Sequence, residues 1–415
     1  MFKNLVYSAI TKGAVALINF LILIITSRYL GVSSRGEISI LLLNIAIVQA
    51  INEVYTGYSL VHFIPRFNIR KIVRYGICYT LIACSLSNLI LWVLNKQVPG
   101  YEWLGSLISL LVILNTFNCV LILGRGDIAR YNQLSFVQPF VLCAGVLMAI
   151  FFFRVYTLDA YVYPLLFSFV LATGLSSRAL VTLLSAPVLQ HDFQLRPLLL
   201  NGFIFQATFL MQWFLNRYSY YWLPDIAGVG LYASASVLME SVLLFVSAIA
   251  PVLLSRVANK GNTGESVAVT LLLSKAGFLF SGLAVLLILV LPESFYTHVL
   301  GTGFSGIRQL MIVYAPGIMM LGLSVPVSYY FSAIGKQKWV LACYLPGFVS
   351  VLCLTPVWIG RYGLSGAAYS AGLAYGMTAL ALCVVFLRSN RLGWRRFFSL
   401  SMDYRTLRTL LKLKA

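Results

Sequence analysis

Charge is scarce in this chain: Asp, Glu, Lys and Arg make up 10% of its 415 residues, and the acids number only 11. Polar stretches are scarce too, and no connection between apolar runs exceeds about 15 residues. With 60% hydrophobic residues and a mean hydropathy of +0.90, these deficits exclude a soluble globule with a polar surface and leave no segment for a separate soluble domain. The seven cysteines (Cys78, Cys84, Cys119, Cys143, Cys343, Cys353 and Cys383) all lie in apolar runs, without a CxxC pair or a cluster with His. They read as small packing residues, with no disulfide and no metal site. A phosphate-binding P-loop is also missing, so neither a nucleotide nor any other cofactor is expected.

What the chain has in abundance is apolar runs of membrane-crossing length. A helix needs about 20 apolar residues to cross about 30 Å of hydrocarbon. The runs are continuous rather than alternating, which favours helices over barrel strands. Spans are predicted at 5–28, 37–63, 73–95, 101–124, 134–154, 160–184, 197–217, 226–254, 268–291, 307–332, 338–358 and 363–387, making an all-α polytopic membrane protein of about 12 transmembrane helices. The first run is too long for a signal peptide, contains Lys12 and lacks a small-residue cleavage site, so it reads as a retained helix.

The net charge of +19 follows from topology and calls for no nucleic-acid partner. With the N-terminus cytoplasmic, the outer side holds Arg28, Arg35, Lys96, Arg154, Arg217, Arg308 and Arg361. Those seven leave 23 of the 30 basic residues inside. The positive-inside rule then puts both termini in the cytoplasm, with an even number of spans.

The stretch from Ser185 to Arg196, with Pro187, His191 and Asp192 and followed by Pro197, divides the spans six and six. The expected domains are lobes over 1–190 and 191–388, then a basic tail over 389–415. An internal echo supports duplication: Arg28-Tyr29 precedes Gly36 and the second span, and Arg217-Tyr218 precedes Gly230 and the eighth. Transporters commonly place the substrate path between such repeats. In the tail, Tyr404, Leu407, Leu410 and Leu411 alternate with Arg405, Arg408, Lys412 and Lys414, the pattern of a helix lying on anionic lipid.

Four helices carry polar stripes. At 100° per residue Ser8, Lys12, Asn19 and Thr26 share a face of the first span, and Gln49, Asn52, Glu53 and Thr56 one of the second. In the seventh, Asn201, Thr208, Gln212, Asn216 and Ser219 form one stripe, with Gln206 and Arg217 together on another. The eighth carries Ser236, Glu240 and Ser247. A charge at the bilayer centre costs on the order of 3 kcal/mol, so Glu53 and Glu240 should face protein or water. Single Ser, Thr or Asn residues at these positions also read as interhelical hydrogen bonds. Lys12 can snorkel to the inner surface and Arg217 to the outer. Cations among amides and hydroxyls suit a substrate with an anionic head and many hydroxyls. Tyr218, Tyr220, Tyr221 and Trp222 fit an interfacial aromatic belt or a platform for sugar rings.

The segment Arg28-Tyr-Leu-Gly-Val-Ser-Ser-Arg-Gly-Glu37 and the segment Val229-Gly-Leu-Tyr-Ala-Ser-Ala-Ser-Val-Leu-Met-Glu240 resemble the bacterial polysaccharide (O-antigen type) repeat-unit flippases of the multidrug/oligosaccharidyl-lipid/polysaccharide exporter superfamily. The resemblance implies a V-shaped pair of six-helix lobes that opens alternately to cytoplasm and periplasm. It implies an undecaprenyl-pyrophosphate-linked oligosaccharide as cargo, the inner membrane as location, and polysaccharide polymerase machinery as a partner beside the lipid bilayer. A cationic cavity would receive pyrophosphate and sugar, with Lys12, Asn19, Gln49, Asn52, Gln212, Asn216 and Arg217 as candidate substrate contacts. Glu53 and Glu240 would either pair with those cations or carry the coupling proton.

A drug exporter of the same superfamily is the nearest alternative, although such exporters typically carry an acid in the first helix, where this chain has Lys12. Lipid II flippases usually have two more helices. A membrane-embedded polymerase or ligase would need paired carboxylates for acid-base chemistry. The outer acids Glu37, Glu102, Asp159, Asp225 and Glu293 are spread over separate connections, so no catalytic residue and no enzyme is expected.

Overall fold

A backbone in hydrocarbon has to satisfy its own hydrogen bonds, and among the described residues this chain does so with helices. The computed structural model describes residues 2–57, 60, 61, 64, 68–184, 195–244, 246, 247 and 264–393. Twelve α-helices follow one another within these residues: α1 (Phe2–Thr56), α2 (Ile69–Val93), α3 (Glu102–Gly124), α4 (Ile128–Leu147), α5 (Asp159–Leu184), α6 (Leu195–Arg217), α7 (Ile226–Glu240), α8 (Gly264–Val290), α9 (Glu293–Leu300), α10 (Ile307–Ala333), α11 (Gln337–Tyr362) and α12 (Leu364–Ser389). Eleven stretches are long and apolar enough to cross a membrane, and the chain is a multi-pass membrane protein.

Short polar residues set several helix starts. Asn68 accepts the N–H of Arg70 at 3.0 Å, Asp127 that of Arg130 at 3.0 Å, and Asp225 those of Ala227 and Gly228 at 3.2 and 3.1 Å, each occupying donors that a first turn leaves open. At the end of α8, Arg308 donates to the carbonyls of Leu289 and Leu291.

Two predicted boundaries are corrected. The first and second spans, expected as separate helices at 5–28 and 37–63, run on as α1 with a single non-helical residue, Gly31 (φ 82°, ψ 176°). The crossing-length stretch Ile10–Thr56 has 47 residues, which at 1.5 Å each would reach about 70 Å, more than twice the hydrocarbon thickness. Gly31 divides it into two crossing lengths and brings the total to twelve. Ile22 and Leu30 before the break share one buried cluster with Ile38, Leu41 and Ile45 after it. Residues 29–36 fall between the two predicted spans, yet within them only Gly31, at positive φ, leaves the helix. The second crossing then ends at Thr56 rather than residue 63. In addition α9, the eight-residue helix Glu293–Leu300, occupies what the sequence reading left as a connection. Residues 185–194, most of the expected inter-lobe boundary, and 394–415, most of the basic tail, lie outside the described residues.

The chain divides into two compact units, the first made of Met1–Leu210, Asp225–Leu231 and Thr297–Phe304, the second of Met211–Pro224, Tyr232–Tyr296 and Ser305–Ala415. In unit 1, glycines let helices meet backbone to backbone. A Cβ on Gly36 of α1 would run into the carbonyl oxygen of Ile226, one on Gly230 into that of Val32, and one on Gly202 of α6 into that of Val54.

In unit 2, α12 packs against both α10 and α11. Its buried face is built of small residues, among them Ala367, Ala368, Ala371, Ala374 and Ala379, the composition by which membrane helices gain van der Waals contact without a hydrophobic driving force. A Cβ on Gly317 of α10 would lie 2.8 Å from the Cα of Gly372, and one on Gly347 of α11 would strike Thr378 and Ala374. Helices α10 and α11 each contain two prolines, Pro316 with Pro326 and Pro346 with Pro356, whereas α12 has none.

Because both neighbours of Gly36 and Gly230 are rigid carbonyls, Gly36→Ala and Gly230→Ala are each expected to destabilise the protein by about 1–3 kcal/mol through overpacking. The check is the thermal unfolding midpoint in detergent, with Gly13→Ala, at an open position, as the neutral control.

Candidate functional site

Unit 2 holds the one ion pair among the described residues whose partners both lie in membrane-crossing helices. Helix α6 ends at Arg217, where a cation meets the negative end of the helix dipole, and the chain continues in a 3-10 turn over Tyr218–Tyr221. The Arg217 guanidinium donates to Glu240 Oε2 at 2.9 Å, with the two side chains 17% and 25% exposed. Its other face lies 4.3 Å from the ring centroid of Trp213, a cation–π contact. Glu240 Oε1 accepts from the Asn216 amide and from the Tyr375 hydroxyl at 2.8 Å. Both carboxylate oxygens are thus occupied, Oε1 by α6 and α12 and Oε2 by α6.

The backbone around this cluster is also held. At the end of α6 the Asn216 carbonyl has no partner further along the helix. It accepts instead from Ser219 Oγ at 2.6 Å and from the Tyr232 hydroxyl at 3.1 Å. Tyr232 packs edge-on against Tyr220 and tilted against Tyr314, at centroid distances of 5.8 and 5.5 Å. Unit 2 also carries an apolar groove of about 1060 Å³ along α10 and α12, with Trp358, Tyr362 and Tyr369 at one end and Gly317, Gly372 and Gly376 along it.

In unit 1, Glu53 is held without an ion pair among the described residues. Gln49, one turn earlier on α1, donates to its Oε1 at 2.7 Å, and Gln206 of α6 donates to its Oε2 at 3.2 Å. Gly202, one turn before Gln206, brings α6 against Val54 and so puts the amide within reach. The Gln206 Oε1 and Asn52 Oδ1 atoms are buried and have no protein partner.

The remaining stripe residues divide by exposure. Lys12 and Asn19 on α1 and Gln212 on α6 are exposed. Asn52 is fully buried and donates to the Val48 carbonyl at 2.8 Å. Thr26, Thr56, Thr208 and Ser236 are buried and donate to carbonyls of their own helices, the back-bonding open to hydroxyls in membrane helices. Of Ser8 the backbone alone, as part of α1, is among what is described. Gln206 and Arg217, which share a stripe of α6, each bond a different carboxylate: Gln206 bonds Glu53 and Arg217 bonds Glu240.

Several acids near helix starts are engaged locally. Asp225 caps α7, Glu102 accepts the Gly100 N–H at 3.1 Å, Glu293 accepts the Gly306 N–H at 2.7 Å, and Asp159 accepts the Tyr101 hydroxyl at 2.6 Å. Burial, followed by the bond to Asp159, pushes the Tyr101 hydroxyl well above the usual tyrosine range, which keeps it a donor.

Two partners of these carboxylates are not marked as such in the sequence. Tyr375 sits in a run of Ala and Gly that carries only a packing signal, 135 residues from Glu240. Gln206 was visible as a polar residue in the seventh span but had been grouped with Arg217.

No protein-family model and no curated protein sequence matches the chain. Solved structures do. An inward-facing multidrug resistance MATE family transporter of the MOP superfamily aligns with a TM-score of 0.69 at 13% identity, over 92% of this chain and 98% of its own. The lipid II flippase MurJ, in an inward closed conformation, aligns with a TM-score of 0.69 at 14% identity, over 99% and 92%. The MATE transporter ClbM in complex with Rb+ aligns with a TM-score of 0.56 at 16% identity, over 97% and 95%. At these identities the likeness establishes the fold.

Removing one partner of a buried ion pair costs about 3–5 kcal/mol, and partial exposure reduces that. Arg217→Met is therefore expected to destabilise the protein by about 2–3 kcal/mol, while Arg217→Met with Glu240→Gln recovers at least half of the loss. A double-mutant cycle on unfolding midpoints measures this. A loss in the double variant equal to the sum of the losses in Arg217→Met and Glu240→Gln would show that the pair contributes nothing.

Proposed function

We propose that this chain is a flippase that carries an undecaprenyl-pyrophosphate-linked oligosaccharide, an O-antigen or capsule repeat unit, from the cytoplasmic to the periplasmic leaflet of the bacterial inner membrane by alternating access. The observation that supports the reading is the asymmetry of charge compensation. Glu240 is saturated by Arg217, Asn216 and Tyr375, whereas Lys12 is exposed on α1, on the face that also carries the exposed Asn19. A pyrophosphate needs a cation, and sugar hydroxyls need amides such as Asn19, Gln49 and Gln212, which both donate and accept. The groove along α10 and α12 offers apolar surface to a polyprenyl chain.

Arg217 has a different part in this scheme from the one its charge first suggested. Its guanidinium is committed to Glu240, so it positions the end of α6, and Lys12 is the residue that meets the pyrophosphate. Glu53, held by amides alone, takes up and releases the coupling proton. Twelve crossings put both termini on one side, and the excess of Lys and Arg there makes that side cytoplasmic.

An exporter of organic cations is the second reading, favoured by the TM-score of 0.69 to a multidrug transporter, equal to that of the lipid II flippase. Deletion of the gene in its native bacterium, followed by labelling of polyprenyl-linked sugars with an impermeant reagent, separates the two. Repeat units trapped on the cytoplasmic leaflet and released by the intact gene support flipping. Unchanged lipids with new drug sensitivity would favour the exporter.

Two variants test the residues. Lys12→Ala is expected to lower surface polysaccharide about tenfold, the effect of losing one charge-assisted contact of roughly 1.5 kcal/mol, with protein levels intact; wild-type polymer would remove Lys12 from the site. Glu53→Gln is expected to abolish the dependence of transport on the proton gradient, and an unchanged dependence would assign coupling elsewhere.

A further inference from the structure

Unit 1 carries a second charged feature, apart from Glu53 and from the stripe on α1. Helices α4 and α5 pack along their lengths and leave at one end a pocket of about 280 Å³, lined by Arg130, Gln133, Leu134 and Val137 of α4 and by Leu175 and Arg178 of α5. This volume equals roughly nine waters at about 30 Å³ each. The spacings put each set on one helical face: positions i, i+3, i+4 and i+7 on α4, and i and i+3 on α5.

The pocket is graded along the axes of the two helices. Arg130 lies in the first turn of α4, and Arg178 lies near the end of α5, which closes at Leu184. Both therefore belong to the same end of the helix pair. At 1.5 Å per residue Val137 sits about 10 Å further in than Arg130, and Leu175 about 4.5 Å further in than Arg178. Two guanidiniums and an amide form the mouth, and aliphatic side chains form the inner part. Asp127 caps the start of α4 through the backbone N–H of Arg130 at 3.0 Å, and the positive dipole end of this helix also favours an anion.

We infer that this pocket binds the headgroup phosphate of an anionic phospholipid from the surrounding leaflet, with the start of an acyl chain against Val137 and Leu175. Guanidinium forks match phosphate oxygens bidentately, and basic pockets between helices on the cytoplasmic side are where anionic headgroups are held. A free phosphate would satisfy the arginines and leave the apolar part unused; a zwitterionic lipid would fill the apolar part and bring a second cation to the mouth. The inference is independent of the proposed cargo.

Native mass spectrometry of the full-length protein released from detergent, with phosphatidylglycerol or phosphatidylcholine added, tests it. The intact protein is expected to retain phosphatidylglycerol in preference to phosphatidylcholine. Each of Arg130→Gln and Arg178→Gln should weaken that preference roughly fivefold, the value of one basic residue at an anionic surface. Val137→Trp, which fills the apolar part and keeps both charges, should also weaken it. Arg178 is exposed on α5, so its variant is informative even where Arg130→Gln or Val137→Trp does not fold. Equal retention of the two lipids, a preference unchanged in Arg178→Gln, or displacement by millimolar inorganic phosphate together with indifference to Val137→Trp would each overturn the inference.

Discussion

A carboxylate placed among apolar helices has to be neutralised by the protein around it, and unit 2 is organised by the way Glu240 meets that demand. Its two oxygens take Asn216 and Arg217 from the end of α6 and Tyr375 from α12, so three helices are pinned at one point. The ring of bonds extends to the Asn216 carbonyl through Tyr232, and Tyr232 also donates to the Ala367 carbonyl at 3.3 Å. Once α12 is fixed in this way, its small-residue face sets where α10 and α11 come to rest. An electrostatic requirement on one residue is thereby linked, through α12, to the packing of the two helices that flank it.

Glu53 is solved differently. Two amides can bond a carboxylate but cannot cancel its charge, and the Gln206 oxygen that turns away from it finds no protein partner. The contrast is one of compensation: Glu240 is met by a cation as well as by neutral donors, and Glu53 by two amides alone.

The helices were legible because hydropathy alone forces them; eleven crossing-length stretches correspond to the predicted runs, the first two runs being fused. The fusion at Gly31 was harder to read, because Ser33, Ser34 and Arg35 have loop-like polarity and nothing in a sequence announces that one glycine will do the work of a loop. The Glu240 cluster was half legible. Asn216, Arg217 and Glu240 were found by polarity, with pairing left as one of two options, but Tyr375 was not, since a tyrosine among alanines and glycines gives no hint of a partner on another helix. Periodicity says which residues share a face. It is silent on what is packed against that face at each depth, which is why Gln206 and Arg217, alike in angle, end with different carboxylates.

The prolines of α10 and α11 lie at matched levels. Counted from the turn at Gly335, Pro326 and Pro346 are about equally distant, and so are Pro316 and Pro356, each residue adding the same 1.5 Å of rise. Every proline removes an N–H and leaves a carbonyl one turn back without its usual donor. The two helices that flank α12 are therefore weakened in flexure at the same two heights, on either side of a member with no such joint. Such an assembly resembles a stiff keel between two jointed planks: bending concentrates in two transverse planes of the bilayer, and α12 transmits displacement along its whole length without absorbing it.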